Sequence, residues 1–227
     1  MKNLQLHIEV NPELYLKSPD SSELGRTIIS GSIELINELG FEEFTFKKLG
    51  IKIGSPESSV YRYFENKHTL LIYLVSWYWS WIDYLLVFST ININSSKEKL
   101  ERTIKILTQP IVVDNSFSYI NEVLLHKIII TESVKVYHTK DVDDENERGY
   151  FKTYKQVVQR VSDMVLEINP KFKFPHMLIS TIIEGANHQR YFAEHLPALT
   201  DINNGEDNIS EFYNDLIFKA IAKWKDH

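Results

Sequence analysis

Between Phe44 and Lys67 the sequence gathers side chains suited to recognising an anionic polymer. Five cations (Lys47, Lys48, Lys52, Arg62 and Lys67) stand there against two carboxylates (Glu57 and Glu65), a local charge of +3 in a chain of net charge −6. Val60 and Phe64, four residues apart, mark the inward face of a short helix and leave Ser58, Tyr61 and Arg62 toward solvent. Hydroxyls can bond base edges in the major groove, and a guanidinium can pair with guanine through two parallel N–H donors. Arg62 has a competing use in an ion pair with Glu57 or Glu65. Thr45 opens the preceding helix, where its hydroxyl is a cap and the free N–H groups can also hold a phosphate. Glu57 departs from phosphate chemistry, since a carboxylate repels phosphate but accepts from cytosine N4.

Other chemistries find little support. The chain has no Cys, which excludes disulfides, thiolate metal sites and cysteine nucleophiles. It has no Gly-rich phosphate loop, no His-Glu-x-x-His and no G-x-S-x-G elbow. Glu184 and His188, one helical turn apart, could bind a metal with His195, but this spacing reads better as a surface pair. The acidic run Asp141, Asp143, Asp144, Glu145 and Glu147 lacks the Gly and the spacing of a calcium loop. The expectation is a protein that is not an enzyme and uses neither metal nor cofactor.

The elements that must position these residues are helical. Gly 8 and Pro 7 in 227 residues fall short of the roughly 27 that average usage gives, which favours long helices. Ser22 caps a first helix carrying Leu24, Ile28, Leu35, Ile36 and Leu39, and Gly40 stops it. Thr45 caps a second, with Phe46, Leu49 and Ile53 on one side, ending at Gly54. Ser55 and Pro56 then read as a cap and the first helical residue of a third. Asn66 caps a long apolar helix from Lys67 to about Thr90. Later helices are expected over Ser96 to about Gln109, about Phe117 to His138, Asp144 to about Ile168, Pro175 to about His195, and Ile209 to Lys225. Residues 1–20, with Pro12 and Pro19, read as an arm.

Residues 70–88 are long enough to span a bilayer, but Asp83 within them and three central Trp (Trp77, Trp79, Trp81) argue for a core helix. Gln5, His7 and Glu9 interrupt the first apolar residues, so no signal peptide is read. A pI near 5.8 argues against coating nucleic acid by bulk charge. The chain is expected to be cytoplasmic, with no membrane partner.

From Gly40 to Leu71 the string GFEEFTFKKLGIKIGSPESSVYRYFENKHTLL resembles the DNA-binding domain of the TetR family of bacterial transcriptional regulators. Gly40, Phe41, Thr45, Leu49, Gly54, Ser59, Tyr61, Tyr63, Phe64, Lys67 and Leu70 carry the match, which extends over roughly residues 22–88. The resemblance implies an all-α fold. An N-terminal three-helix domain with a helix-turn-helix (21–66) follows the arm and is joined by a long helix to a helical ligand-binding and dimerisation domain (67–227). It implies DNA contacts from Thr45, Lys47, Lys48, Ser55, Glu57, Ser58, Ser59, Tyr61 and Arg62. Tyr63 and Lys67 look like the family's phosphate contacts, half-buried packing being the alternative for Tyr63. Two departures stand out: Ile53-Gly54-Ser55-Pro56 replaces the family's Ala-Gly-Val-Ser, and Gly50 takes the small position after Leu49.

The larger C-terminal part implies a pocket for an unknown small-molecule effector. Candidate lining residues are Trp77, Trp81, Tyr84, Phe88, His126, Tyr150, Tyr154, His188 and Tyr191, each of which could instead be core. The last two helices are the dimer candidates, through Ile182, Ile183, Gly185, Ala186, Phe212, Leu216, Ile217 and Ile221. The function implied is a one-component regulator, usually a repressor, binding a palindromic double-stranded DNA operator as a homodimer. The alternative is a helical sensor or interaction protein that no longer grips DNA, a reading that Glu57 and the overall acidity favour.

Overall fold

Local chemistry sets most helix starts in the computed structural model, which describes residues 8–114, 116–202 and 207–222. Helix α1 (Glu23–Glu43) begins after Ser22, whose hydroxyl accepts the Gly25 N–H at 3.1 Å. Gly40, at φ 78°, leaves the helical region and kinks the last turn. Helix α2 (Phe46–Lys52) is capped by Thr45, which accepts from the Lys48 amide at 3.2 Å. Helix α3 (Glu57–Val60) starts one residue later than expected. Pro56 occupies the cap position, without a side-chain cap bond. The Ser55 amide is drawn back to the Gly50 carbonyl at 2.9 Å, so Ser55 belongs to the turn. Helix α4 (Lys67–Thr90) opens at Asn66, whose side chain accepts the Thr69 amide at 2.9 Å.

The remaining helices are α5 (Ser96–Thr108), α6 (Glu122–Glu132), α7 (Val134–Tyr137), α8 (Val142–Glu147), α9 (Lys152–Ile168), α10 (Pro175–His195) and α11 (Ile209–Ala222). Two expected helices are divided. The stretch expected over 117–138 begins only at Asn121, which caps Leu124 at 3.0 Å, and splits into α6 and α7 at Ser133. The stretch from Asp144 is broken by Gly149 at φ 79°, giving α8 and α9. The end expected for the last helix, at Lys225, lies outside the described residues. No strand occurs among the described residues.

The chain divides into two compact units. The first comprises residues 1–80 and 111–153, so α1 to α3 and the first part of α4 pack with α6, α7 and α8. Its core includes Ile28, Ile29, Ile33, Phe44, Leu49, Phe64, Leu70, Trp77, Leu125 and Ile128, all essentially inaccessible. Each such side chain contributes about 1.5–3 kcal/mol by leaving water. The second unit comprises residues 81–110 and 154–227. Its core draws on Leu86, Leu100, Ile104, Val157, Val161, Ile179, Ile182, Ile217 and Ile221. Helix α4 is long and apolar enough to cross a membrane, and most of its apolar length is buried within the fold.

The segment before α1 is strapped down. It forms 3₁₀ turns at Pro12–Leu14 and Pro19–Ser21 and buries Ile8 and Leu14. The Ser80 hydroxyl donates to the Glu9 carbonyl at 2.9 Å, Asn11 donates to the Arg148 carbonyl at 3.0 Å, and the Leu16 amide donates to the Tyr63 carbonyl at 2.7 Å.

Candidate nucleic-acid interface

The turn between α2 and α3 depends on two glycines. Gly54 adopts φ 66°, the left-handed region that an L side chain resists. Gly50 lets the turn fold tightly onto α2, because a Cβ there would lie 2.6 Å from the Ser55 carbonyl oxygen. Gly50 is therefore smaller than an alanine for a steric reason. Beneath the turn, Phe44, Phe46, Leu49, Val60 and Phe64 are buried, and the Tyr61 ring packs edge-on against Phe46 with centroids 4.9 Å apart.

This packing sorts the expected DNA-facing residues. Thr45, Lys47, Lys48, Ser58, Tyr61 and Arg62 are exposed, while Ser55, Glu57 and Ser59 are half-buried. Among the described residues Lys47 and Arg62 pair with no carboxylate. The other cations are engaged. Lys48 contacts both the Glu43 carboxylate at 3.0 Å and the Glu43 carbonyl at 2.7 Å. Lys52 bridges Glu38 at 2.6 Å and Glu34 at 3.3 Å, and the Glu38 carboxylate foremost holds its ammonium above the ordinary lysine range.

Tyr63 and Lys67 face inward. Tyr63 is 1% exposed, and its hydroxyl meets Ser22 Oγ at 2.7 Å and Lys17 Nζ at 3.3 Å. Lys67 donates to the carbonyls of Phe41 (3.0 Å), Glu42 (3.0 Å) and Phe44 (3.3 Å), and its ammonium lies 4.8 Å from the centre of the Phe41 ring. A cation suits this site because carbonyls at a helix end carry partial negative charge. From the other side, the Glu132 carboxylate accepts the Phe41 amide at 3.2 Å, and Lys135 bridges Glu132 (2.7 Å) and Glu42 (3.0 Å). The joint between α1 and α2 is thus gripped by α4, α6 and α7. Sequence reading missed Lys17, Glu132 and Lys135, for these contacts lie tens of residues away and follow no periodicity.

The nine residues expected around an effector fall in both units. Trp77, His126 and Tyr150 belong to the first unit and are buried there, Trp77 edge-on to Phe117 and His126 stacked on Tyr78 at 5.6 Å. The other six belong to the second unit. There Trp81 is buried, Tyr84 leans on the exposed Phe88, Tyr154 donates to Glu184 at 3.0 Å, His188 stacks on Phe192, and Tyr191 lies against His195. A cleft of about 500 Å³ in the first unit, between α1 and Val113 with Ser118 to Asn121, is lined by Arg26, Ser30, Tyr119, Asn121 and their neighbours.

Of the expected dimer residues, Ile182, Ile183, Ala186, Ile217 and Ile221 are buried within the second unit, and Phe212 and Leu216 are exposed. Gly185 makes room for Tyr213 of the same chain, whose hydroxyl occupies the space a Cβ would need.

Two short helices about a left-handed glycine, set on a buried aromatic core, define a helix-turn-helix protein. Residues 28–74 match the family described as bacterial regulatory proteins, tetR family, so this helix-turn-helix is of the TetR type. Solved structures share the fold across nearly the whole chain. The fatty acid degradation regulator FadR from Bacillus halodurans is 14% identical over 88% of this chain and 98% of its own, with a TM-score of 0.58. AibR, solved with isovaleryl coenzyme A and operator DNA, is 14% identical over 85% and 97%, at 0.56. Superantigen PfiT is 13% identical over 89% and 97%, at 0.57, so the likeness conveys the fold and not a function. No curated protein matches the sequence.

Proposed function

We propose that this chain is a one-component transcriptional regulator that binds a palindromic operator as a homodimer and acts in the cytoplasm as an effector-relieved repressor. The observation that carries the reading is the exposed face of α3 and its end, where Ser58, Tyr61 and Arg62 stand out over buried Val60 and Phe64. In this reading residues 21–66 engage DNA and residues 67–227 serve ligand binding and dimerisation. Arg62 and Ser58 read base edges, the Thr45 terminus and Lys47 hold the backbone, and Tyr61 supplies both packing and a hydroxyl. A small molecule preferring the conformation with misplaced recognition helices lowers DNA affinity by its differential affinity. Regulators such as FadR and AibR, which share the fold, lend support to an effector-controlled reading.

The test is selection of sheared genomic DNA by the purified protein at two salt concentrations, followed by sequencing of what stays bound. An inverted repeat that survives the higher salt, and is lost with Arg62→Ala, is the expected outcome. Recovery of random, salt-sensitive fragments or of nothing would refute it. The paired state of Lys48, Lys52 and Lys67 favours the second reading, a helical sensor without DNA affinity, and that result would select it.

A further inference from the structure

We infer that Lys17, in the strap ahead of α1, is a DNA-backbone contact of this same interface, holding a phosphate at the surface over the buried Tyr63. The inference rests on the DNA-binding reading above. Tyr63 matches a phosphate-contact position, yet its side chain is covered, and what lies over its ring is the Lys17 ammonium, 5.1 Å from the ring centre. One Lys17 donor is directed to the Tyr63 hydroxyl at 3.3 Å; an ammonium has three, and the residue is exposed. Positive charge therefore stands at the surface over Tyr63, the chain neighbour of Arg62, on the spot that the buried phenol cannot reach.

The site is ordered before any ligand arrives. The Leu16 amide is bonded to the Tyr63 carbonyl at 2.7 Å, and Leu14 is buried, so the backbone on the N-terminal side of Lys17 is fixed. Holding a lysine in place ordinarily costs side-chain entropy, part of which the fold has already lost here. Two carboxylates of the strap are occupied elsewhere: Glu13 pairs with Arg148 at 3.0 Å, and Asp20 accepts the Tyr119 hydroxyl in a short bond. Among the described residues Lys17 pairs with no carboxylate, which leaves its charge for an anion.

The experiment uses the full chain and the duplex recovered by the genomic selection, with binding followed by anisotropy across a range of salt. Lys17→Gln is expected to reduce the slope of log affinity against log salt by about 0.9 per bound chain and to weaken matched and mismatched sites alike. Lys17→Arg is expected to keep the slope. If Lys17→Gln binds with the wild-type slope, the inference is overturned while the regulator reading stands. Equal losses in both variants would mark a structural role and overturn it as well. If the wild-type chain selects no duplex, reading and inference fall together.

Discussion

Glu122 shows how one side chain can set a pH dependence. It is fully inaccessible, one carboxylate oxygen accepts the Asp114 amide at 3.1 Å, and the other has no hydrogen-bond partner among the described residues. Burial foremost raises its pKa above the usual carboxylate value. The protonated form is thus favoured by folding, and the stability this brings is present below the unfolded-state value and lost as pH rises through the raised one. Glu122→Gln keeps an acceptor for Asp114 without the charge. Its melting temperature relative to wild type is expected to be higher at pH 7 than at pH 4, which thermal unfolding at the two pH values checks. A relative change in the opposite direction would contradict burial of an ionisable acid there.

At the scale of elements, the α2–α3 turn makes the sharpest demand. Gly50→Ala should gain up to about 1 kcal/mol of helix propensity, yet its methyl would press on the Ser55 carbonyl and, at 3.1 Å, on the Glu57 amide. Net destabilisation of about 1–3 kcal/mol is expected, measured by urea unfolding; a stabilised variant would show that the turn can give way.

Helix positions were legible because their signals are local. Ser22, Thr45 and Asn66 cap where their hydroxyl or amide chemistry predicts, and Pro175 opens α10. The third helix slipped by a residue because Ser55 carries both a cap side chain and an amide that the Gly54 turn needs, and only the folded turn decides between them. Gly149 broke a helix that the flanking pattern alone would continue. The site was legible in part. Val60 and Phe64 placed Ser58, Tyr61 and Arg62 correctly toward solvent, whereas the fate of Lys52 and Lys67 depends on Glu34, Glu38 and the carbonyls of residues 41–44, which only tertiary packing brings near.

For the whole molecule, the question is what a second copy would touch. Most apolar residues expected at a dimer interface are consumed inside the second unit, so the burden falls on Phe212 (58% exposed) and Leu216 (39% exposed), one turn apart on α11. Phe212→Asp with Leu216→Asp is expected to convert a dimer to monomers with unchanged helical circular dichroism, as sedimentation velocity would show. A wild-type chain that sediments as a monomer would sink the homodimer proposal.

The self-neutralised lysines of the helix-turn-helix bear on how an operator would be found. Because Lys48 and Lys52 already answer carboxylates of their own unit, the loose positive charge left to hold arbitrary sequence shrinks to that of Lys17, Lys47 and Arg62. A protein so built would dwell briefly on each random stretch and slide only a short way before letting go. Its search would then proceed by many short visits, and its residence on the right site would depend on fit rather than on attraction.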